Sequence, residues 1–466
     1  MSLARPLACP RDMNAITEAA RTVEVVHETD VLVVGSGPGG FSAALAAARA
    51  GARTTLLDRY GCFGGNMTQV GVESIGWYRH EGTVEANGIG RELEERSAAM
   101  GAASPESQSL SMGINGERFK YVADVLVEEA GITPMLHRMA VAPIVEDGVI
   151  RGVITESKSG REAVLAKRIV DGTGDADVAA RAGAPFHITP REEMLAASVM
   201  FSMTGVNKPR FLEAVKSDPQ TYRDWAGNQE WDIETTGKED EMFSPFLRKP
   251  FKRAVAEGLI PQNLITLAGT WGTISDTGDL TYLNLVHLTG VDGTRADDLT
   301  RGEIEGRRQA MHAIDALRAF MPGCEDAVLR NFGMTIGIRD TRKIEALYDM
   351  TGEDVREQGR FEDSIGIFPE FIDGYGVLIL PTTGRYFQVP YRSLVPKGIG
   401  NLIVAGRSIG GDKISHASVR NMMCCTVSGQ GAGVAAAVSV RDDTPFDALD
   451  VGKIQTELKR QGVRLD

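Results

Sequence analysis

The segment from Asp30 to Asp58 reads DVLVVGSGPGGFSAALAAARAGARTTLLD, and it constrains the fold more than any other part of the chain. An apolar run, a glycine-rich turn, an alanine-rich stretch and a second apolar run follow one another within about 30 residues, the length of a βαβ unit. Strands joined by a helical crossover lie parallel in one sheet. The segment therefore predicts an α/β fold with a parallel sheet.

The glycine turn of this unit, residues 35–40, reads GSGPGG and fits the pattern G-x-G-x-x-G. In that pattern the first glycine makes the tight turn, the second lets the backbone approach a pyrophosphate, and the third lets helix and strand pack closely. The helix N-terminus then faces the anion. Asp58 ends the second apolar run, where an acid accepts hydrogen bonds from a ribose diol. Together these features predict a dinucleotide site.

Composition narrows the classes of partner. A formal charge of −13 argues against binding to nucleic acid or to anionic membranes, because such binding needs a basic face on the protein. The five scattered cysteines do not form a disulfide framework, and the N-terminus has no apolar core of a secretory signal, so we expect a cytoplasmic protein. No apolar stretch approaches the roughly 18–20 residues of a membrane helix. No zinc, iron–sulfur or phosphate-loop motif occurs, and no metal site is predicted.

The domain organisation follows from changes of texture along the chain. Small residues, apolar strands and glycine turns mark both ends, whereas the middle is richer in charge and aromatic residues. We therefore expect one nucleotide-binding domain built from both chain ends, with a substrate domain of α+β type inserted between. The expected limits are a lead-in at 1–27, the first part of the nucleotide domain at 28–185, the substrate domain at 186–385, the second part at 386–445, and a C-terminal helix or tail at 446–466.

Further glycine turns accompany the first one. The sequence YGCFGGNMTQ follows the second strand, and VDGTGD and NLIVAGRS each end an apolar run with glycine. No second G-x-G-x-x-G follows a strand. This pattern indicates that the G-x-G-x-x-G motif holds one half of the dinucleotide and that turns from distant parts of the chain surround its larger second half.

Beyond these motifs, the chain resembles the FAD-dependent oxidoreductases with a glutathione-reductase-like FAD domain, related to the heterodisulfide reductase flavin subunit and to fumarate reductase-type flavoproteins. The resemblance covers nearly the whole chain. The stretches that carry it are DVLVVGSGPGGFSAALAAARAGARTTLLDR, CFGGNMT, VDGTGDADVAARAGA, IGIRDTRKIEALYDMTGEDV, VPYRSLVPKGIGNLIVAGRSI and SHASVRNMMCCTVSGQGAGVAAA.

The resemblance implies FAD as the cofactor and assigns residues to its parts. The glycine turn would hold the pyrophosphate, and two residues at the end of the second strand would contact the adenosine. The CFGGNMT loop would lie along the diphosphate and flavin side. The start of the last apolar helix would face the flavin ring. The implied residues are Gly35, Ser36, Gly37, Pro38, Gly40, Asp58, Arg59, Gly64, Gly65, Asn66, Thr68, Ala140, Gly174, Asp175, Gly406, Arg407, Asn421, Met422 and Met423. One departure stands out: Asp373 is followed by Gly-Tyr-Gly where the family commonly has Asp-x-His.

Three polar residues are candidates for catalysis. His416 precedes the flavin-facing helix and is read as an acid or base, or as a structural histidine. Arg420 would anchor a carboxylate or the flavin carbonyl. Arg339 begins the cluster Arg339, Asp340, Arg342, which would act on a substrate or instead clamp the two domains by salt bridges. Trp77 and Tyr78 would line a substrate pocket or belong to the core.

Three functions remain open at this point. The first is hydride transfer between flavin N5 and a small organic substrate. The second is an NAD(P)H-dependent flavin monooxygenase, and the third is an electron-relay flavin subunit of a larger complex, which the lack of cluster cysteines disfavours. NAD(P)H or another electron donor or acceptor and a homo-oligomeric state are left open as partners.

The adjacent Cys424 and Cys425 invite a redox interpretation, but their place in the sequence argues against it. Consecutive Cα atoms lie 3.8 Å apart, below the usual disulfide range of about 4.4–6.8 Å. We expect two buried, unbridged thiols in the first turn of the last apolar helix. Cys62, in the CFGGNMT loop, is the alternative candidate for a redox role near the cofactor.

Overall fold

The computed structural model describes residues 18–76, 84–105, 112–221, 231–237 and 246–466. The helices are α1 (Pro38–Arg49), α2 (Ile89–Ala99), α3 (Gly116–Glu129), α4 (Asp177–Ala182), α5 (Lys208–Ser217), α6 (Lys249–Ala256), α7 (Ala296–Phe320), α8 (Gly352–Arg356), α9 (Lys413–Val419), α10 (Met422–Asp442) and α11 (Val451–Arg460). Most of the predicted lead-in, residues 1–17, and the pair Trp77 and Tyr78 lie outside the described residues.

The strands are short except in the central sheet. They are β1 (Glu24–Val34), β2 (Thr54–Leu57), β3 (Ala103–Pro105), β4 (Met112–Ile114), β5 (Thr133–Met135), β6 (Met139–Glu146), β7 (Val149–Ser157), β8 (Gly160–Asp171), β9 (Phe186–Ile188), β10 (Phe201–Thr204), β11 (Asp232–Glu234), β12 (Phe246–Leu247), β13 (Gly269–Thr270), β14 (Leu280–Leu283), β15 (Val328–Phe332), β16 (Arg342–Ile344), β17 (Ser364–Pro369), β18 (Ile372–Gly374), β19 (Val377–Ile379), β20 (Tyr386–Pro390) and β21 (Leu402–Val404).

The central sheet confirms the predicted α/β fold. Strands β5, β2, β1 and β8 lie side by side and parallel, and β21 pairs in parallel with the end of β8. The residues from Val31 to Val34 are at most 3% exposed, as expected for a parallel strand that is covered on both faces. β1 begins at Glu24, earlier than the predicted limit at 28, because its first residues pair with Glu162–Ala166 of β8.

Helix α10 packs along α1 at backbone contact distance. A Cβ atom at Gly429 would lie 2.1 Å from the carbonyl oxygen of Gly39, and one at Gly433 would lie 2.1 Å from that of Ala43. Only glycine permits this approach. The packing brings the start of α10 to the carboxyl ends of the central strands, although nearly 400 residues separate the two helices in the chain.

An antiparallel meander extends the same sheet. β6 pairs with β7, and β7 pairs with the first half of β8. The β6–β7 turn consists of Asp147 and Gly148, both with positive φ (50° and 75°), which is the type I′ conformation that matches strand twist. The sequences EDG at 146–148 and KSG at 158–160 predict two turns between strands, and both turns are present.

Buried apolar side chains form two clusters. The first contains residues between 31 and 184 and between 344 and 465, with Phe246, so both chain ends contribute to it. The second contains residues between 197 and 336, around β10, β14, β15 and helices α5 to α7. Residues 344–380 join the first cluster although they fall within the predicted substrate domain, and the domain limits stay a prediction.

Helix α10 is, among the described residues, the helix long and apolar enough to cross a membrane by length and composition. Of its apolar window, 94% is buried inside the fold. Such burial is typical of a core helix, and the contact with α1 accounts for it.

Candidate cofactor and substrate site

The glycine turn between β1 and α1 has the geometry that its sequence predicts. Gly35 has φ of 94°, and a Cβ there would lie 2.5 Å from the carbonyl oxygen of Gly172. A Cβ at Gly40 would lie 1.8 Å from the oxygen of Gly35. At Gly37, by contrast, a Cβ would meet nothing within 4 Å. Pro38 opens α1 at its first position, where its missing N–H costs nothing.

Asp58 is tied to this turn. Its Oδ2 accepts hydrogen bonds from Ser36 N (2.7 Å) and Ser36 Oγ (2.5 Å), and its Oδ1 accepts one from Tyr60 N (2.9 Å). A carboxylate has about four acceptor sites, so Asp58 can accept one more bond. The predicted ribose contact is compatible with this count and stays a prediction.

Two further loops contact the glycine turn, in addition to the loop that contains Gly172. Gly64 N donates to Ser36 O (2.9 Å), and a Cβ at Gly65 would lie 2.5 Å from Gly37 Cα. Thr68 Oγ1 donates to Phe63 O (2.7 Å) and holds that loop closed. A Cβ at Gly39 would lie 2.8 Å from Gly406 Cα. The loops predicted from distant parts of the sequence therefore lie together at one edge of the sheet.

An ion pair joins two of these loops. Arg407 Nη2 donates to Asp175 Oδ1 (2.6 Å), and Arg407 Nη1 donates to Ile338 O (2.6 Å). Gly174 has φ of 77°, and a Cβ there would lie 3.4 Å from the Arg407 guanidinium carbon. Asp171, which the sequence analysis did not single out, fixes the same turn: its carboxylate accepts from Thr173 and from the backbone N–H groups of Val178 and Ala179.

Two predicted adenosine contacts lie at the margin of this arrangement. Arg59 is exposed, and its guanidinium carbon lies 4.8 Å from the centroid of the Tyr60 ring. Ala140 lies on β6, where its carbonyl accepts a hydrogen bond from Arg181 (3.3 Å). The nearby Arg138 N donates to Asp58 O (3.0 Å), so β6 begins beside the end of β2.

The start of α10 lacks a side-chain cap. Asn421 stands at the N-cap, but its Nδ2 donates back to Ser418 O (2.8 Å) and Ala417 O (3.3 Å). The partial positive charge of a helix N-terminus is therefore directed outward from Met422 and Met423. Both residues line the large cavity described below.

The loops suit a flavin dinucleotide on three observations. Gly37 leaves open space where a pyrophosphate is expected. The Nε atoms of Arg407 and Arg420 are buried and have no hydrogen-bond partner among the described residues. The uncapped α10 terminus faces the same region. Buried polar atoms are normally satisfied, so a ligand with acceptor oxygens fits here.

A cavity of about 1030 Å³ adjoins these loops. Its lining includes Asn66, Arg407 and residues 420–423 together with residues of the second cluster such as Leu264 and Leu288. A cavity of this size accommodates a small organic molecule beside a cofactor ring.

The residues of the cluster Arg339, Asp340 and Arg342 lie in three different surroundings. Arg342 pairs with Asp177 (3.0 Å) and donates to Asp175 O, which is the clamp that the sequence suggested. Asp340 is buried and pairs with Lys343 (2.6 Å). Arg339 alone of the three lines the cavity, where it donates to Ala196 O (2.6 Å) and Asn284 Oδ1 (3.0 Å).

Two histidines, His416 and His287, differ in whether they reach the cavity. His416 is 1% exposed, does not line the cavity and donates through Nε2 to Arg339 O (3.0 Å). Burial, with the Lys343 charge second, lowers the pKa of His416 to about 3. Its position therefore favours the structural reading. His287, which the sequence analysis missed, lines the cavity. The sequence around His287 contains no motif that would have marked it, because pairing between strands that are distant in the chain sets its position.

Tyr375 stands where the family pattern departs. With Gly376 it forms the β18–β19 turn, at φ of 53° and 79°, and a tyrosine in this left-handed region is strained. Its hydroxyl donates to Asp340 Oδ2 (2.5 Å), and the ring lines the cavity. Burial and the Asp340 charge hold the pKa of Tyr375 well above its usual range, so the hydroxyl keeps its proton.

The cysteines lie as expected. Cys424 and Cys425, in the first turn of α10, are 0% and 6% exposed, and both are free thiols. Burial raises the pKa of Cys425 to about 12, which makes it a poor nucleophile. Cys62 is also buried, with Sγ 3.9 Å from Thr68 Oγ1. The described residues contain no group of three or more side chains suited to hold a metal ion.

Taken together, the parallel sheet, the glycine turn and the converging loops define a dinucleotide-binding flavoprotein of α/β type. The sequence model of the FAD dependent oxidoreductase family matches residues 30–458 of this chain. The chain belongs to that family: it is an FAD-dependent oxidoreductase, and FAD is its cofactor.

Other known proteins resemble the chain more distantly. A leghemoglobin reductase of Glycine max is 48% identical over 44 residues, which cover 9% of this chain and 8% of that protein. A geranylgeranyl bacteriochlorophyll reductase-like protein of Thermoplasma acidophilum aligns over 94% of this chain and 85% of its own, at 14% identity and a TM-score of 0.48. For p-nitrophenol 4-monooxygenase of Pseudomonas putida the coverage is the same, at 10% identity and a TM-score of 0.45. The matched segment spans less than a tenth of the leghemoglobin reductase, so the activity of that protein is not assigned to this chain.

Proposed function

We propose that this protein oxidises or reduces a small organic substrate that binds in the cavity beside the flavin. The observation that carries the proposal is the cavity of about 1030 Å³, whose lining combines residues expected at the flavin with other polar and apolar side chains. Bound flavin supplies exchange of a hydride equivalent at N5. The chain must then orient the substrate and manage a proton.

We assign the cofactor's holders from the loops described above. The turn at residues 35–40 would hold the pyrophosphate, with its N–H groups at the start of α1. Asp58 would take the ribose. Arg407 and Arg420 would direct their unpaired Nε atoms to acceptor oxygens of the flavin side. The start of α10 would stabilise negative charge that develops near it.

His287 is our candidate for moving the proton. Its Nε2 donates to Ala268 O (3.0 Å); a carbonyl can only accept, so Nδ1 is the acceptor nitrogen of the neutral ring. Burial, with Arg339 as the second cause, lowers the pKa of His287 to about 4. The ring is therefore neutral near pH 7, where Nδ1 is a weak base that would hold the proton only transiently.

Anaerobic mixing of the yellow holoprotein with electron donors tests the reaction class. We expect a small organic donor to bleach the flavin, or an organic acceptor to reoxidise the dithionite-reduced protein, without NAD(P)H. Bleaching by NAD(P)H alone, followed in air by a hydroxylated product, would instead establish a monooxygenase. Exchange of electrons with a redox protein only would establish a relay subunit.

Two matched variants test the role of His287. His287→Gln keeps an N–H donor for Ala268 O and removes the basic Nδ1. We expect unchanged FAD content and bleaching slower by about 100-fold or more, the usual worth of a general base. His312→Gln, on α7 and away from the cavity, is the control. Equal rates in both variants would remove His287 from the mechanism.

A further inference from the structure

Arg339 carries a positive charge on the cavity wall. Within the described residues, its two hydrogen bonds go to neutral acceptors, Ala196 O and Asn284 Oδ1. It forms no ion pair with any residue in the described ranges, whereas Arg407 pairs with Asp175 and Arg420 with Asp373. A guanidinium withdrawn from water without a counter-charge is costly.

A second guanidinium raises that cost. Burial, and after it the charge of Arg420, lower the pKa of Arg339 to about 10. Asp373 is the acid near both arginines, but its carboxylate is engaged by Arg420 (3.1 Å). The uncapped start of α10 adds partial positive charge to the same cavity. This part of the cavity therefore has an excess of positive charge.

The rest of the wall is mixed polar and apolar, and it includes a set of large apolar side chains. Phe246, Leu264, Phe371, Leu378 and Leu380 line the cavity. A molecule that satisfies both regions has one anionic group and a hydrocarbon or aromatic body. Guanidinium groups bind carboxylates through two parallel N–H···O bonds, and Arg339 has five N–H donors, more than its two protein acceptors use.

We infer that the substrate is an organic acid with an apolar body and that Arg339 binds its carboxylate. This inference rests on the proposed function, because it concerns the molecule that fills the same cavity. The acceptors Ala196 O and Asn284 Oδ1 fix the guanidinium at the cavity wall, and so Asn284 is a positioning residue.

Binding of paired acids and amides to the holoprotein tests the inference. The probes are benzoate, phenylacetate and hexanoate, each with its amide, and the readout is the perturbation of the flavin absorption spectrum. We expect one or more acids to bind and each such acid to bind at least about tenfold more tightly than its amide.

Two variants remove the free charge in different ways. Arg339→Gln deletes the guanidinium, and Asn284→Asp supplies an internal carboxylate next to it. Both should raise the dissociation constants of the acids at least about tenfold and leave those of the amides unchanged. Asn284→Asp should at the same time raise the melting temperature, a combination that a damaged fold does not give. Arg318→Gln, an exposed position on α7, makes the same charge change as Arg339→Gln and should leave binding unaltered.

Contrary outcomes are clear. If no acid perturbs the flavin, if amides bind as well as acids, or if both variants keep the wild-type constants, Arg339 does not receive a carboxylate. These readouts need no turnover. A protein that binds acids through Arg339 but exchanges electrons only with a redox protein would therefore contradict the proposed function and leave the acid site standing.

Discussion

Gly37 and Gly40 lie three residues apart in one turn, and their surroundings differ. A Cβ at Gly37 meets no protein atom within 4 Å, whereas one at Gly40 would lie 1.8 Å from a backbone oxygen. Gly37 also has φ of −62°, which alanine adopts without strain. Of these two positions, the packing of the protein itself requires glycine only at 40. At position 37 we expect the requirement to come from the cofactor.

The pair of variants Gly37→Ala and Gly40→Ala separates these two requirements. Gly37→Ala should leave the melting temperature of the cofactor-free protein within about 2 °C of wild type and strongly reduce FAD content, measured by flavin absorbance. Gly40→Ala should destabilise the cofactor-free protein by about 3 kcal/mol or more, because backbone must move. Full FAD content in Gly37→Ala would show that the pyrophosphate lies elsewhere.

His416 makes stability depend on pH. Its pKa is lowered to about 3 by burial and by the Lys343 charge, whereas an unfolded histidine titrates near 6.5. Between these values the unfolded chain binds more protons, so the free energy of unfolding falls as pH drops below about 6.5. Above that pH the contribution is complete.

A glutamine at position 416 tests this coupling. His416→Gln keeps a donor for Arg339 O and cannot titrate. We expect the loss of unfolding free energy between pH 7 and about pH 5 to be smaller by about 2 kcal/mol than in wild type, by urea denaturation. His312→Gln serves as the control. An unchanged pH dependence in His416→Gln would mean that His416 can be protonated in the fold.

Sequence patterns predicted the loops expected to hold the cofactor better than the candidate catalytic residues. The turn at 35–40 and Asp58 are local in the chain, so their spacing alone places them. His287 gave no such signal: β14 pairs with β10, some 80 residues earlier, and only that pairing turns the following segment towards the cavity. His416 was plausible from its place before α10, but its burial depends on Lys343 and Asp340 from another segment.

At the scale of elements, the glycines of α10 set how closely it approaches α1. A Cβ at Gly433 would lie 2.1 Å from the Ala43 oxygen. Gly433→Ala should therefore destabilise the protein by about 3 kcal/mol or more. It should also lower FAD content, since a displaced α10 carries Met422 and Met423 away from the cofactor loops. Unfolding and flavin absorbance measure the two effects.

Gly452→Ala is the matched control for this prediction. Gly452 lies exposed in the first turn of α11, where a Cβ would meet only Asp450 Oδ1, at 3.2 Å. Alanine has the higher helix propensity, so this variant should be as stable as wild type or slightly more stable. If Gly433→Ala behaves in the same way, α10 tolerates a wider separation from α1 than the packing indicates.

Element boundaries show where sequence reasoning reached its limit. The sequence GTRADDLTRGEIEGRRQAMHAIDALRAFMPG predicts a long helix with Thr300 as a candidate N-cap. In the structure α7 begins at Ala296, and Thr300 Oγ1 instead donates to Ala296 O (2.9 Å) within the helix. Asp297 and Asp298 in the first turn favour the earlier start through the helix dipole. The βα turns, in contrast, were predictable, because each glycine pattern sits directly between its strand and helix.

At the scale of the whole molecule, the cofactor site joins segments that are remote in sequence. The turns at 35–40, 64–68, 172–175 and 405–407 and the start of α10 meet at one edge of the sheet. Sequence texture at the two chain ends predicted this meeting, and the pairing of β21 with β8 is its structural basis. The cavity was not predictable, since it forms between two clusters whose mutual position depends on packing. Cytoplasmic location and homo-oligomerisation stay predictions.

Removal of FAD should therefore weaken these distant segments together. A ligand at 100 times its dissociation constant stabilises the folded state by about 2.7 kcal/mol, and that free energy is contributed where the ligand is bound. Hydrogen exchange of the holoprotein and of cofactor-free protein, compared segment by segment, measures it. We expect protection to fall at all five segments on FAD removal and to recover on FAD addition. Helix α5 belongs to the second cluster and does not line the cavity, so it should show no loss beyond any uniform change. A loss confined to the turn at 35–40 would mean that the later loops do not reach the cofactor, because a shared ligand must protect every segment that binds it.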